Sequence, residues 1–98
     1  MNFISVVRGK LQDPAKAQQV HDATVALLSP MSKPMGALHH QPFLNPQNPS
    51  EFLAVDTWSN VEGLQKFLQD PKVAAEFGKF FDGMPEVTVW NDAGWSAF

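Results

Sequence analysis

The chain has 98 residues, of which 44% are hydrophobic and 17% are charged, and its formal net charge is -3. These values predict a single domain over residues 1–98 and exclude a multidomain enzyme. The 7 basic and 10 acidic side chains give no basic stripe, which argues against nucleic acid and anionic membranes as partners. Without cysteine, the chain has neither a disulfide framework nor a thiolate metal site.

The beginning of the chain does not resemble a secretion signal. Arg8 follows too few apolar residues for the core of a signal peptide, and no apolar run approaches about 18 residues. We therefore expect a cytoplasmic protein.

The first half of the chain predicts a strand, a helix and a hairpin. Residues 3–8 alternate in polarity and are rich in β-branched side chains, as in a strand. Asp13-Pro14 combines a helix cap with proline at the first helical position and predicts an amphipathic helix that Pro30 and Pro34 end. Residues 36–43 and 51–58 are predicted as two strands. The segment between them, residues 45–50, is dense in turn formers and too rich in proline to pair.

The second half predicts two helices and a last strand. Ser59 to Glu62 has the spacing of a capping box, and Asp70-Pro71 repeats the cap-plus-proline signal. Residues 86–90 alternate in polarity and are predicted as a strand. Residues 91–98 form an aromatic tail that we expect at a dimer interface or as a lid over a pocket.

The order of these elements is that of a ferredoxin-like α+β fold. The βαββαβ order predicts a sandwich with a four-stranded antiparallel sheet and helices on one face. The first and third strands carry apolar residues on both faces, although the helices can cover only one face. A second copy of the chain is the simplest cover for the other face, so we expect a homodimer.

Three features of the sequence support a resemblance to a known superfamily. They are the first strand with a helix opening at Asp13-Pro14, the hairpin leading into residues 52–58, and the run from Trp58-Ser59 to Glu62 into the next helix. The acid-x-Trp ending Asp56-Thr57-Trp58 is the most recognisable piece. From Phe3 to about Trp95 the chain resembles the dimeric α/β-barrel superfamily, and within it the antibiotic-biosynthesis-monooxygenase-like domains.

This resemblance implies a homodimer whose two sheets close into a barrel, with a pocket between each sheet and its own helices. Some members oxidise polyketide-like or quinol substrates without metal or flavin, and others bind and degrade haem. The resemblance also implies a triad of Asn on strand one, Trp at the end of strand three, and Tyr or His on the next helix. Trp58 matches the second member, Asn2 or Ser5 stands in for the first, and Leu68 lies near the expected haem-ligand position. We expect no cofactor.

Asp56 is the strongest candidate for catalysis. A buried carboxylate in an apolar strand is costly and requires a partner or a raised pKa. If the residue numbers across the hairpin sum to about 95, His39 lies opposite Asp56, and a slip of one residue puts His40 there instead. The resulting His–Asp pair is either a general base, with the carboxylate orienting the ring, or a structural ion pair.

Four further residues are candidates for substrate binding. Trp58 either stacks on a planar ligand or fills the core, and Phe67 either lines a pocket wall or belongs to the core. His21 borders the buried stripe of the first helix, where it either reaches the pocket or lies at the surface. Arg8 either pairs with an acid or meets an anionic group of the substrate. The chain has no His-x-His or His-x3-His spacing, so we expect no metal site.

These observations predict a protein that binds a small, mostly apolar or aromatic molecule and acts on it by cofactor-independent oxidation or by proton transfer. Trp58 shapes the pocket, and Asp56 and His39 or His40 handle protons. The alternative is a non-catalytic ligand-binding or stress-associated homodimer, in which the polar strand residues serve structure alone. A pocket that contains Asp56 and a hydrogen-bonded His favours the enzyme, whereas a filled interior with exposed His favours the alternative.

Overall fold

The computed structural model describes residues 2–98 as a four-stranded antiparallel sheet with helices on one face. The strands are β1 (Phe3–Lys10), β2 (Ala37–Asn45), β3 (Asn48–Trp58) and β4 (Glu86–Asn91), and the helices are α1 (Ala17–Ser32), α2 (Val61–Gln69) and α3 (Pro71–Phe80). The strand order is β2-β3-β1-β4, and β3 and β1 lie at the centre. The predicted ferredoxin-like α+β fold is confirmed.

Helix α1 differs from its prediction at both ends. The Asp13 carboxylate accepts a hydrogen bond from the Ala15 amide at 3.1 Å, which holds a turn where the helix was predicted to begin. At the other end α1 continues through Pro30 to Ser32, so the prediction that Pro30 ends the helix is wrong. Near the end of a helix, proline removes only one hydrogen bond, and this part of α1 also buries Leu28.

The hairpin is tighter than predicted. Strand β3 begins at Asn48 and contains Pro49, so the prediction that residues 45–50 are too rich in proline to pair is wrong. Asn45 pairs with Asn48, and the register shifts between Leu44 and Asn45. Pro49 lies in this irregular part of the ladder, where its missing N–H costs no regular hydrogen bond.

The caps of α2 and α3 fix how these helices start. The Asn60 side chain accepts hydrogen bonds from the Glu62 and Gly63 amides at 3.0 and 3.2 Å. Asn60 is therefore the cap, and the predicted capping box at Ser59 is wrong; the Ser59 hydroxyl donates to the Gly36 carbonyl instead. Asp70 caps α3 as predicted, accepting from the Lys72 amide at 2.9 Å.

The core lies between the helices and the inner face of the sheet. Its buried members are Val7, Leu11, Phe52, Ala54, Phe80 and Phe81. The ring centroids of Phe52 and Phe80 are 4.7 Å apart and those of Phe80 and Phe81 are 4.9 Å apart, both in the edge-to-face arrangement that aromatic pairs prefer. These rings also form one side of the cavity described below.

The outer face of the sheet carries apolar side chains that no described helix covers. Strand pairing places on this face Ile4, Val6, Phe43, Leu53, Val55 and Trp90. Phe43 is 48% exposed and Trp90 is 59% exposed. The prediction that the central strands are apolar on both faces is thus confirmed.

The tail, residues 92–98, has no regular secondary structure, and its Trp95 and Phe98 are exposed. Its predicted role as a lid or interface segment stays a prediction. Among residues 2–98, no helix has the length and apolar character needed to cross a membrane.

Candidate small-molecule site

A cavity of about 200 Å³ lies between the inner face of the sheet and the helices. Most of its wall is apolar, with contributions from Leu28, Ala54, Trp58, Phe67, Leu68 and Phe77. A smaller group of polar side chains converges on it, including Ser5, His21, His40 and Asp56. Such a concave, mostly apolar site with a few placed polar groups is typical of small-molecule binding.

Strand pairing brings the polar residues together. Asp56 pairs with Ser5 on β1 and with His40 on β2, which puts the three side chains in one row across the inner face. Of the two registers left open by the sequence, the structure has the one with His40 opposite Asp56. His39 borders the cavity, but it pairs with Thr57, and strand alternation places its side chain on the outer face.

A β-bulge accounts for this register. Ala37 pairs with Trp58 and His39 pairs with Thr57, so Leu38 is an extra residue on β2 without a partner on β3. If the pairing of Ala37 continued without the bulge, His39 would meet Asp56.

The side chains of four residues form a hydrogen-bonded row from the cavity to the surface. Nδ1 of His40 bonds Oδ1 of Asp56, and Nε2 of His40 lies 2.7 Å from Nε2 of His21. Nδ1 of His21 lies 3.1 Å from Oδ1 of Asp22. The Asp56 side chain is 21% exposed and the Asp22 side chain is 66% exposed, so the row ends in solvent. We call these residues the His–Asp row.

Helix α1 holds His21 against the sheet. The His21 ring meets the His40 ring edge to edge through the Nε2 atoms, with centroids 5.0 Å apart, and it lies 6.1 Å from the ring of Phe52 and 6.0 Å from that of Phe80. These contacts place the His21 ring at the cavity wall. The sequence alone left two positions open for it, the pocket and the surface.

Trp58 carries a polar atom without a partner. The residue is 2% exposed at the end of β3, and its ring centroid lies 5.3 Å from that of Phe67. Its Nε1 is buried and has no hydrogen-bond acceptor among residues 2–98. Leaving a buried donor unsatisfied costs about 1–3 kcal/mol. An acceptor atom on a ligand in the cavity would remove this penalty.

Arg8 lies outside the cavity. It sits on the outer face between Leu53 and Glu86, and its Nη2 lies 2.7 Å from Oε1 of Glu51. Hydrogen bonds from Arg8 and then Asn45, together with the charge of Arg8, hold the pKa of Glu51 below its usual value of 4.5. The substrate contact predicted for Arg8 is therefore not part of this site.

The structure also distinguishes between Asn2 and Ser5, the two residues that could correspond to the Asn of the triad. Ser5 is buried in the cavity wall next to Asp56. Asn2 is exposed before β1, where its carbonyl accepts from the Asp92 amide. Ser5 is thus the stand-in that reaches the site.

Several cavity residues on α1 were missed from the sequence. Thr24, Val25, Leu28 and Ser32 line the same cavity as His21. Their spacing from His21 puts them on the same face of α1 as His21. The sequence would therefore have indicated these residues if His21 had been assigned to the cavity.

The described residues do not form a metal centre or a haem site. Among residues 2–98, no group of three or more His, Asp or Glu side chains is placed to hold a metal ion. A haem needs an imidazole nitrogen or similar ligand atom free to bind iron. Both ring nitrogens of His21 and of His40 already contact other side chains, and α2 presents Phe67 and Leu68 to the cavity. These residues do not fit haem.

Comparison with solved structures identifies the class of fold. SnoaB, a cofactor-independent oxygenase from Streptomyces nogalater, has a TM-score of 0.75 at 14% identity, over 96% of this chain and 95% of that chain. A Bordetella bronchiseptica protein assigned as an antibiotic biosynthesis monooxygenase has a TM-score of 0.72 at 18% identity, over 94% and 97%. A Caulobacter crescentus protein with the same assignment has a TM-score of 0.71 at 17% identity, over 94% and 90%.

No family model matches the sequence, and no curated protein does. The structural likeness at these identities shows the fold alone. The chain has the fold of antibiotic biosynthesis monooxygenases, and the resemblance inferred from the sequence is confirmed at that level.

Proposed function

We propose that the protein binds a small aromatic molecule with an acidic C–H group and oxidises it with O2, without a cofactor. The observation that carries this proposal is the Asp56–His40 pair on an apolar cavity that is also lined by Trp58, whose Nε1 has no hydrogen-bond partner among residues 2–98. The fold shared with SnoaB, a cofactor-independent oxygenase, supports the same class of reaction.

The chemistry follows from the placement of these groups. The Asp56–His40 pair removes a proton from a methylene group, and Nε1 of Trp58 donates to a substrate carbonyl on which the negative charge collects. The carbanion reduces O2 and forms a C–O bond, which gives a hydroperoxide once protonated. Loss of the second C–H proton breaks the O–O bond and releases water. In sum, one CH2 group and one O2 give one C=O group and one water.

Anthrone provides the test, because this tricyclic ketone has an acidic methylene and its product absorbs differently. We expect oxygen uptake above the buffer rate with the wild-type chain, and at least a 100-fold smaller rate with Asp56→Asn, in line with the roughly 10²–10⁴-fold effect of a general base. The matched control is Asp82→Asn, an exposed carboxylate outside the cavity. Equal rates for wild type, Asp56→Asn and buffer would refute the oxygenase.

One observation favours the alternative of a ligand-binding or stress-associated module without turnover. Both nitrogens of His40 are engaged in the His–Asp row, as expected if the row serves structure. In that case anthrone raises the melting temperature of the chain while oxygen uptake stays at the buffer rate.

We propose in addition that a second copy of the chain covers the outer face. The support is the apolar outer face of the sheet, at whose centre the half-buried Val6 and Val55 pair with each other. Sedimentation is expected to give twice the chain mass of 10.9 kDa. Val55→Lys is expected to give the monomer, since the dimer would bury an unpaired charge.

The control for this experiment is Glu62→Lys, which introduces the same side chain at an exposed position of α2. It is expected to leave the dimer intact. A wild-type chain that sediments as a folded monomer would contradict the proposal.

A further inference from the structure

Lys33 differs from the other basic side chains in its position. It follows α1 directly and is the one lysine or arginine among residues 2–98 that lines the cavity. In this part of the chain, no carboxylate lies within ion-pair distance of its ammonium group. A cation without a counter-ion at the wall of a mostly apolar cavity can pair with an anionic group of a ligand.

Backbone contacts place Lys33 at the same end of the cavity as Trp58. The Gly36 amide donates to the Lys33 carbonyl at 3.1 Å, and the Gly36 carbonyl accepts from the Ser59 amide at 2.9 Å. The next residue, Ala37, pairs with Trp58. This end of the cavity therefore combines a cation with the buried Nε1 of Trp58, a donor that lacks an acceptor among residues 2–98. Both groups require oxygen atoms on the ligand.

We propose that Lys33 binds a carboxylate group of the ligand, so that the cavity selects an aromatic carboxylic acid over a neutral compound with the same rings. This inference rests on the proposed binding of an aromatic molecule in the cavity, but not on its oxidation. The rings lie among the apolar side chains, and Nε1 of Trp58 donates to the ring ketone. The carboxylate reaches Lys33 at the exposed end, where it keeps part of its hydration.

Two carbonyl groups at the end of α1 that would oppose an anion are already bonded. The Ser29 carbonyl accepts from the Lys33 amide and from the Ser32 hydroxyl, and the Lys33 carbonyl accepts from the Gly36 amide. These bonds weaken the negative potential that the last carbonyls of a helix otherwise create. The Ser29 hydroxyl also lines the cavity and can donate to a ligand oxygen.

The remaining charges make Lys33 the source of any preference for an anion. Asp56 is the carboxylate in the cavity wall, and its Oδ1 is bonded to Nδ1 of His40. The whole chain has a formal net charge of -3, so its overall field disfavours anionic ligands. A preference for the carboxylate over a neutral analogue must therefore come from a local cation.

A matched pair of fluorescent probes tests this selection. Anthracene-2-carboxylate and anthracene-2-carboxamide have the same rings and nearly the same size, and they differ in charge. At about pH 8.5, where free imidazole is neutral, we expect the wild-type chain to bind the carboxylate about fivefold more tightly, the upper end for an ion pair with an exposed side chain. About 1 M NaCl should reduce this preference through screening. Equal affinities for the two probes, or no binding of either, would overturn the inference.

Three variants assign the preference to one side chain. Lys33→Gln is expected to reverse it, because the carboxylate then loses hydration without meeting a cation, while the affinity for the carboxamide stays unchanged. Lys33→Arg keeps the charge and should keep the preference. Lys16→Gln removes an exposed lysine at the other end of α1 and is the control that should bind both probes as the wild type does. A preference that persists in Lys33→Gln would contradict the role of Lys33.

Oxygen uptake with anthrone distinguishes this inference from the oxygenase proposal. If the chain prefers the carboxylate through Lys33 but takes up no oxygen with anthrone, the carboxylate site is supported and the oxygenase proposal fails. If anthrone is oxidised while the two probes bind equally, the oxygenase proposal stands and the inference about Lys33 fails.

Discussion

Gly63→Ala is expected to destabilise the domain by about 3 kcal/mol or more, the upper end for inserting atoms into a packed interior. A Cβ at this position of α2 would lie 1.8 Å from the carbonyl oxygen of Met35 and 2.9 Å from its carbonyl carbon. These are backbone atoms, so no side-chain rotation relieves the clash. The α2 helix or the turn before β2 must move.

The measurement is urea unfolding followed by circular dichroism. Gly78→Ala is the matched control, since nothing lies within 4 Å of its Cβ and the change removes a glycine from α3. This control is expected to stabilise the chain by up to about 1 kcal/mol through helix propensity. Equal unfolding midpoints for Gly63→Ala and wild type would show that α2 does not approach Met35 this closely.

Trp58→Ala is expected to cost about 3–5 kcal/mol, because it removes a large side chain that is almost fully buried. Trp58→Phe should cost much less. Phenylalanine retains most of the apolar contact with Phe67, and it removes the N–H group whose unpaired burial opposes folding.

Ligand binding distinguishes the role of Trp58 in stability from its proposed contact with the ligand. If Nε1 of Trp58 donates to a ligand carbonyl, Trp58→Phe is expected to weaken anthrone binding about tenfold, the value of one hydrogen bond. Leu64→Ala is the control: Leu64 is fully buried but does not line the cavity, so the change should cost about 2–5 kcal/mol and leave the affinity unchanged. The measurements are thermal unfolding and fluorescence titration. Wild-type affinity in Trp58→Phe would show that Nε1 does not contact the ligand.

The sequence predicted the fold, and it drew attention to Asp56, which the structure places in the cavity wall. The element order fixed the ferredoxin-like arrangement, and the cost of a carboxylate in an apolar strand singled out Asp56. The sequence could not show whether His39 or His40 lies opposite Asp56. The answer depends on the bulge at Leu38, and local residue patterns do not reveal a bulge of one residue.

Other features depended on packing that sequence periodicity does not contain. The contact between His21 and His40 requires one particular position of α1 along the strands of the sheet. The continuation of α1 through Pro30 likewise shows tertiary contacts overriding a local helix-stop signal. Arg8 is different, because the alternation of β1 alone puts it on the face opposite to Ser5 and Val7 and so outside the cavity.

The alternation of β3 restricts how this protein can change during evolution. Val55 faces outward and Asp56 faces inward, so two adjacent positions serve opposite sides of the sheet. Inserting or deleting one residue between the hairpin turn and Val55 would exchange them, turning the acid outward and the valine into the ligand space. Length changes in this lineage are therefore expected in the segment after β4, which no other element holds in register.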